Sequence, residues 1–210
     1  MSGILDLLNS DLGKTMISGV ASETGQDQNK TGDLLTMALP VLMQAMNRNA
    51  NSAQGAESLQ NALNNKHDGS ILDDLGSFFQ GGVDNEVVND GSKILNHVLG
   101  EKQPNVEKAL GLKTGLDANT VAKILKIATP LLMGYLGKQH HQSNINSGDD
   151  LTSMLGGLIQ GSSKGVNHSF LESMLDADGD GSIVDDVAGM FLDSNKSQGG
   201  ISDLLGKFLK

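Results

Sequence analysis

Apolar residues along this chain recur at intervals of three and four and almost never alternate, a period that predicts helices rather than strands. Ile4, Leu5, Leu8, Leu12, Met16 and Val20 form the first such stripe, with Ser2 placed to cap it and Thr24-Gly25 to stop it. Asp27 caps a second stripe of Leu34, Leu35, Ala38, Leu42, Met43 and Met46. Pro40 falls inside it, where an interior proline costs about 3 kcal/mol and predicts a bend. Asn47 to Gln54 reads as a polar loop, then Glu57 to Leu63 and Ile71 to Phe79 as short helices. Val83 to Val98 reads as a helix interrupted at Gly91, and Pro104 suits the first turn of another that stops near Gly111. Asp117 caps a long helix with Val121, Ile124, Leu125, Ala128, Leu132 and Leu136, again with a proline, Pro130, inside it. After the polar stretch Lys138 to Ser147, helices are predicted at Asp149–Leu158, Phe170–Leu175, Ile183–Leu192 and Ile201–Leu209. The expected fold class is all-α.

The stripes repeat. Thr24-Gly25-Gln26-Asp27-Gln28-Asn29 matches Thr114-Gly115-Leu116-Asp117-Ala118-Asn119 at an offset of 90 residues. The same offset carries Leu35 to Leu125, Ala38 to Ala128, Pro40 to Pro130, Leu42 to Leu132 and Met43 to Met133. Later the offset grows to 112, from Asp68 to Asp180, so the second copy has gained 22 residues, for which Asp149–Leu158 is the natural candidate. Gly200-Ile201-Ser202-Asp203-Leu204-Leu205 resembles Gly3-Ile4-Leu5-Asp6-Leu7-Leu8, the start of a third copy. Copies at a fixed offset imply stacked units around a shared core. The expected organisation is two tandem copies of a multi-helix unit in one compact, pseudo-symmetric helical domain. Residues 1–90 form the first repeat, and residues 91–199 the second, with an inserted helix and an acidic loop. Residues 200–210 form a terminal helix that begins a truncated third.

Composition narrows the chemistry. Hydrophobic residues make up 38% of the 210, but aromatics only 3%, with one Tyr and no Trp, so the core must be built from aliphatic side chains and nine Met. The formal net charge of −10, without a basic run, repels polyanions and argues against nucleic acid as a partner. Without Cys, disulfide and thiol chemistry are excluded. No signal-peptide pattern and no apolar run of membrane-spanning length is seen, which predicts a cytoplasmic protein. The 27 Gly fall mostly between stripes, as helix stops.

The most informative chemistry lies in two acidic loops. The second begins like a calcium loop: Asp176, Asp178 and Asp180 stand at its first, third and fifth positions and Gly181 at its sixth. Ser182 offers a backbone carbonyl at the seventh. The usual closing Glu is replaced by Val187, with Asp185 and Asp186 one or two places early, so only weak binding of Ca2+ is expected. The competing reading is a capping box, Ser182-Ile183-Val184-Asp185, of which Ser70-Ile71-Leu72-Asp73 is the earlier edition. The first loop, Asp68 to Asp74, has Asn64 and Lys66 where the second has its aspartate pair, and the Lys66 ammonium is expected to stand in the cation's place. His67, His97, His140, His141 and His168 are read as solvated, and no catalytic set of residues stands out.

The segment from Thr114-Gly115-Leu116-Asp117 through Val121-Ala122-Lys123-Ile124-Leu125 to Pro130-Leu131-Leu132, echoed by Leu34, Leu35, Pro40, Val41 and Leu42, resembles the YidB-like family of bacterial proteins. That resemblance implies a bacterial, all-helical protein and carries over no catalytic residue. The function expected from the sequence is that of a non-enzymatic structural or interaction protein, stabilised by calcium and associating with protein partners, itself included, head to tail. The alternative is an enzyme or small-ligand binder with a site between the two halves.

Overall fold

The computed structural model describes residues 3–143, 145 and 147–161, and among these every regular element is helical. The first stripe breaks in two, α1 (Ile4–Asn9) and α2 (Asp11–Thr24). The break is at Ser10, whose hydroxyl accepts the Gly13 N–H at 3.2 Å and so starts α2 as an N-cap. Gly3 rather than Ser2 precedes α1, and its N–H donates to Asp6 Oδ2 at 2.9 Å. Gly25 ends α2 in the left-handed conformation, φ 66°, which costs glycine nothing.

Asp27 then caps α3 (Gln28–Ala50), its carboxylate accepting from the N–H groups of Asn29 and Lys30 at 3.0 Å. Next come α4 (Ala53–Asn65), capped by Ser52, a short 3-10 turn over Ser70–Leu72, and α5 (Leu75–Phe79). After α6 (Asn85–Leu99) and a second 3-10 turn, Gly100–Lys102, α7 (Gln103–Thr114) starts with Pro104 in its first turn. Asp117 caps α8 (Ala118–Gln142), and Ser147 caps α9 (Gly148–Gln160).

The two long helices, α3 and α8, form the centre. Twelve residues of α3 and fifteen of α8 are buried, including Pro40 and Pro130, and the other helices surround them. Helices α2, α4 and α7 each pack on both central helices, α9 packs on α3 and α4, and α6 runs along α8. The core is aliphatic as expected; Met16, Met43 and Met46 are fully buried, and Tyr135, the one tyrosine, is buried within α8. Neither proline splits its helix: α3 and α8 each run as one helix through Pro40 and Pro130. Gly91 does not interrupt α6. It is buried where α6 meets α8, and a methyl there would collide with the Lys126 carbonyl oxygen. Among the described residues, no helix is long and apolar enough to cross a membrane.

Candidate functional site

The first acidic loop connects α4 to α5 and lies against α6 and α8. Helix α4 ends by letting the Ala62 carbonyl accept from both the Lys66 and His67 N–H groups, at 3.1 and 2.9 Å. This turn drives His67 inward, where its side chain is 6% exposed. Its Nε2 lies 3.3 Å from Asp90 Oδ2, on α6, and the Lys66 ammonium pairs with the other oxygen of the same carboxylate. The loop backbone comes close because α8 offers glycines: a methyl at Gly137 would strike the His67 carbonyl, and one at Gly134 the Ile71 side chain.

Burial lowers the His67 pKa and keeps the imidazole neutral near pH 7. The Asp90 carboxylate opposes this and Lys66 reinforces it. Lys66, His67, Asp68, Ser70, Glu86 and Asp90 line a cleft of about 250 Å³, closed on one side by Pro130. The cleft joins a neutral imidazole, an ammonium and carboxylates around one shared acceptor, Asp90. That arrangement clamps the loop to α6.

Within the loop, the expected capping box at Ser70 is not formed. The Asp68 carboxylate accepts the Ser70 N–H at 3.0 Å, and Asp74 is the residue that caps α5, accepting the Ser77 N–H at 3.0 Å. The Ser70 N–H and hydroxyl hold the Asp68 carboxyl, and the Ser77 hydroxyl and N–H the Asp74 carboxyl, below their ordinary pKa. Asp73 points instead to Lys138, 3.5 Å away. Lys66 does not occupy a cation's place among the loop carboxylates, because Asp90 takes its ammonium. Two histidines expected in solvent are buried, His67 and His140. His140 is 3% exposed, and neither ring nitrogen has a hydrogen-bond partner. Sequence reading missed Asp90 and Glu86, since only the crossing of α6 brings them to the loop.

Of the predicted metal ligands, Asp176, Asp178, Asp180, Ser182, Asp185 and Asp186 all lie outside the described residues. Among the described residues, no three His, Asp or Glu side chains are grouped so as to hold a metal ion.

A second concavity, about 320 Å³, is apolar. Met46, Leu59, Ala62, Ile94, Val98 and Met133 line it where α3 and α4 face α6 and α8, and Lys93 and His97 stand at its rim, exposed. At one end the Asn49 side-chain amide donates toward the last carbonyls of α6, His97 and Val98, at 3.3 Å each.

The bacterial family described as protein of unknown function (DUF937) matches residues 6–139. No curated protein and no solved structure matches the chain.

Proposed function

The chain belongs to this bacterial family of unknown function, and from that premise we propose that it is a non-enzymatic helical protein of the cytoplasm that works through protein contacts, association with itself among them. The reading takes the chain as two copies of one unit. The observation that carries it is the agreement, element by element, between α2–α3 and α7–α8. Gly25 and Gly115 end their helices at φ 66° and 67°. The Thr24 and Thr114 hydroxyls donate to Val20 and Leu110 carbonyls at 2.7 and 2.8 Å. Leu34 and Ile124, Leu35 and Leu125, and Leu42 and Leu132 are each fully buried. On this reading α9 answers α4, since α4 packs on α8 as α9 packs on α3, although the packing of α4 on α3 has no comparable counterpart between α9 and α8. The additional residues of the second copy then fall before and after α9 rather than forming it.

A chain built from stacked units that starts a third with Gly200 to Leu205 has a natural means of joining copies, because a head-to-tail contact propagates. Light scattering and electron microscopy on the full chain and on a chain lacking Gly200 to Lys210 test this. Association that grows with concentration and is lost in the shorter chain is expected; a strictly monomeric full chain ends the reading.

The proposal includes weak calcium binding by Asp176, Asp178, Asp180, Ser182, Asp185 and Asp186. Close carboxylate pairs repel by ~1 kcal/mol each in water, a repulsion that a divalent ion relieves. The expected result is a higher melting temperature in excess calcium than in chelator.

The apolar concavity favours a second reading, a small-ligand binder with its site between the halves, since its size falls at the low end of ligand pockets. Saturable binding of an apolar carboxylate, abolished by Met133→Trp, would favour that reading.

A further inference from the structure

The apolar concavity arises from the way four helices meet. Helices α4 and α6 each pack on α3 and on α8, but they do not pack on one another. A slot of about 320 Å³ is left between them. Met46 of α3 and Met133 of α8 form its floor, Leu59 and Ala62 of α4 one wall, and Ile94 and Val98 of α6 the other. The two methionines are buried, whereas all four wall side chains are only half-buried, so the walls keep apolar surface open to the slot. A thioether floor adapts its shape to what lies on it. The Asn49 amide, donating to the His97 and Val98 carbonyls at 3.3 Å, ties α3 to α6 and closes one end.

The rim adds a charge of one sign. Lys93 and His97 stand one turn apart on α6, each next in sequence to a wall residue, and the exposed Ser58 lines the slot from α4. Among the described residues, no carboxylate lines the slot and none lies within ion-pairing distance of Lys93. This is so in a chain where acidic residues outnumber Lys and Arg by 25 to 15. The Asp90 cleft is the opposite case, since its ammonium, Lys66, is already paired.

We propose that the slot binds a single-chain apolar carboxylate of medium length, with its tail between α4 and α6 over Met46 and Met133 and its carboxylate at Lys93. The inference rests on the small-ligand reading above and deepens it, naming the end that is recognised and the residue that recognises it. Burial of the tail drives binding, and the ammonium offsets part of the cost of drawing the carboxylate out of water. His97 and Ser58 supply further hydrogen-bond donors beside it. A neutral amphiphile with the same tail forfeits the ion pair, which makes Lys93 the residue that sets specificity.

Titration of monomeric decanoate into the full chain, with its methionine methyl groups isotopically labelled for NMR, tests this. The Met46 and Met133 signals are expected to shift saturably, and that of Met16, on α2, to stay still. Lys93→Gln, at an exposed position, should weaken decanoate about fivefold and leave decanol unchanged. Octanoate, two methylenes shorter, should bind roughly tenfold more weakly than decanoate. Ala62→Phe fills the slot from a half-buried wall and should abolish binding of decanoate and decanol alike. If that variant does not fold, the methionine shifts of the unsubstituted chain still locate the ligand. Decanoate and decanol binding equally well, with no effect of Lys93→Gln, would overturn the assignment of the carboxylate to Lys93 and leave the small-ligand reading standing. Shifts spread over all the methionines, or decanoate binding that survives Ala62→Phe, would put the tail elsewhere and overturn the proposal. If neither amphiphile binds, the small-ligand reading falls with it.

Discussion

His140 sits in the last turn of α8 with both ring nitrogens buried and unpartnered. An unsatisfied buried polar group costs roughly 1–3 kcal/mol, so His140→Leu should raise stability by about 1 kcal/mol in denaturant titration. Acid should unmask His140 and His67 together. Both have pKa values lowered in the folded state, by burial above all, so the unfolded chain binds more protons below the ordinary value of 6.5. Stability should therefore change little just above pH 7 and fall as pH drops through 6.5 and below. His67→Gln and His140→Leu combined should flatten that fall in a pH series of melting curves. The sequence did not betray these burials. Both histidines lie at helix ends among polar neighbours, and His67 is covered by α6 and α8, both distant in the chain. The caps were legible, because Asp27 and Asp117 act within three residues of themselves. The Ser70 box was misread for the same local reason: Asp68 reaches the Ser70 N–H first, and Asp74 supplies the cap four residues later.

At the scale of the element, the chain relies on glycine where helices cross. Gly91 on α6 and Gly137 on α8 leave no room for a side chain, since the Lys126 and His67 carbonyls occupy it. Gly91→Ala or Gly137→Ala should cost about 2–3 kcal/mol by overpacking, against the gain in helix propensity that the same change brings on an open face. Gly156, with open space around it, supplies the control, and Gly156→Ala should stabilise α9 by about 0.5–1 kcal/mol. Chemical denaturation of the three variants separates the effects. In the sequence, all three glycines look alike, as possible breaks in a helical stripe. Periodicity shows that a helix exists and which face is apolar; it does not show which residue meets a neighbouring backbone. An interior proline predicts a bend, and α3 and α8 each continue as one helix to either side of Pro40 and Pro130. Both rings are buried at the centre of the bundle, where packing offsets the lost hydrogen bond.

For the whole molecule, the all-helical fold class followed from the absence of alternation. What could not be read was the partnership of surface elements. The cleft at Asp90 and the apolar concavity both form where α6 returns across α3, α4 and α8, and no motif marks their residues. The family match ends at residue 139, within α8, so α9 and the acidic loop beyond it are the part of this chain that family membership leaves unexplained. Calcium dependence is best measured there: replacing Asp176 and Asp178 with Asn should erase any difference in melting between calcium and chelator, while leaving the chelated value unchanged.

The buried phenol of Tyr135 makes the middle of α8 its own spectroscopic reporter. With one Tyr and no Trp in the chain, near-ultraviolet absorbance and fluorescence come from that ring and the weak phenylalanines alone. Burial, helped by the Asp6 carboxylate at α1, raises its pKa, so the folded chain keeps its proton beyond the pH where an open chain ionises. Above about pH 10 the phenolate band should therefore appear as the bundle opens. The alkaline titration of one ring then times the loosening of the central helices without any added label.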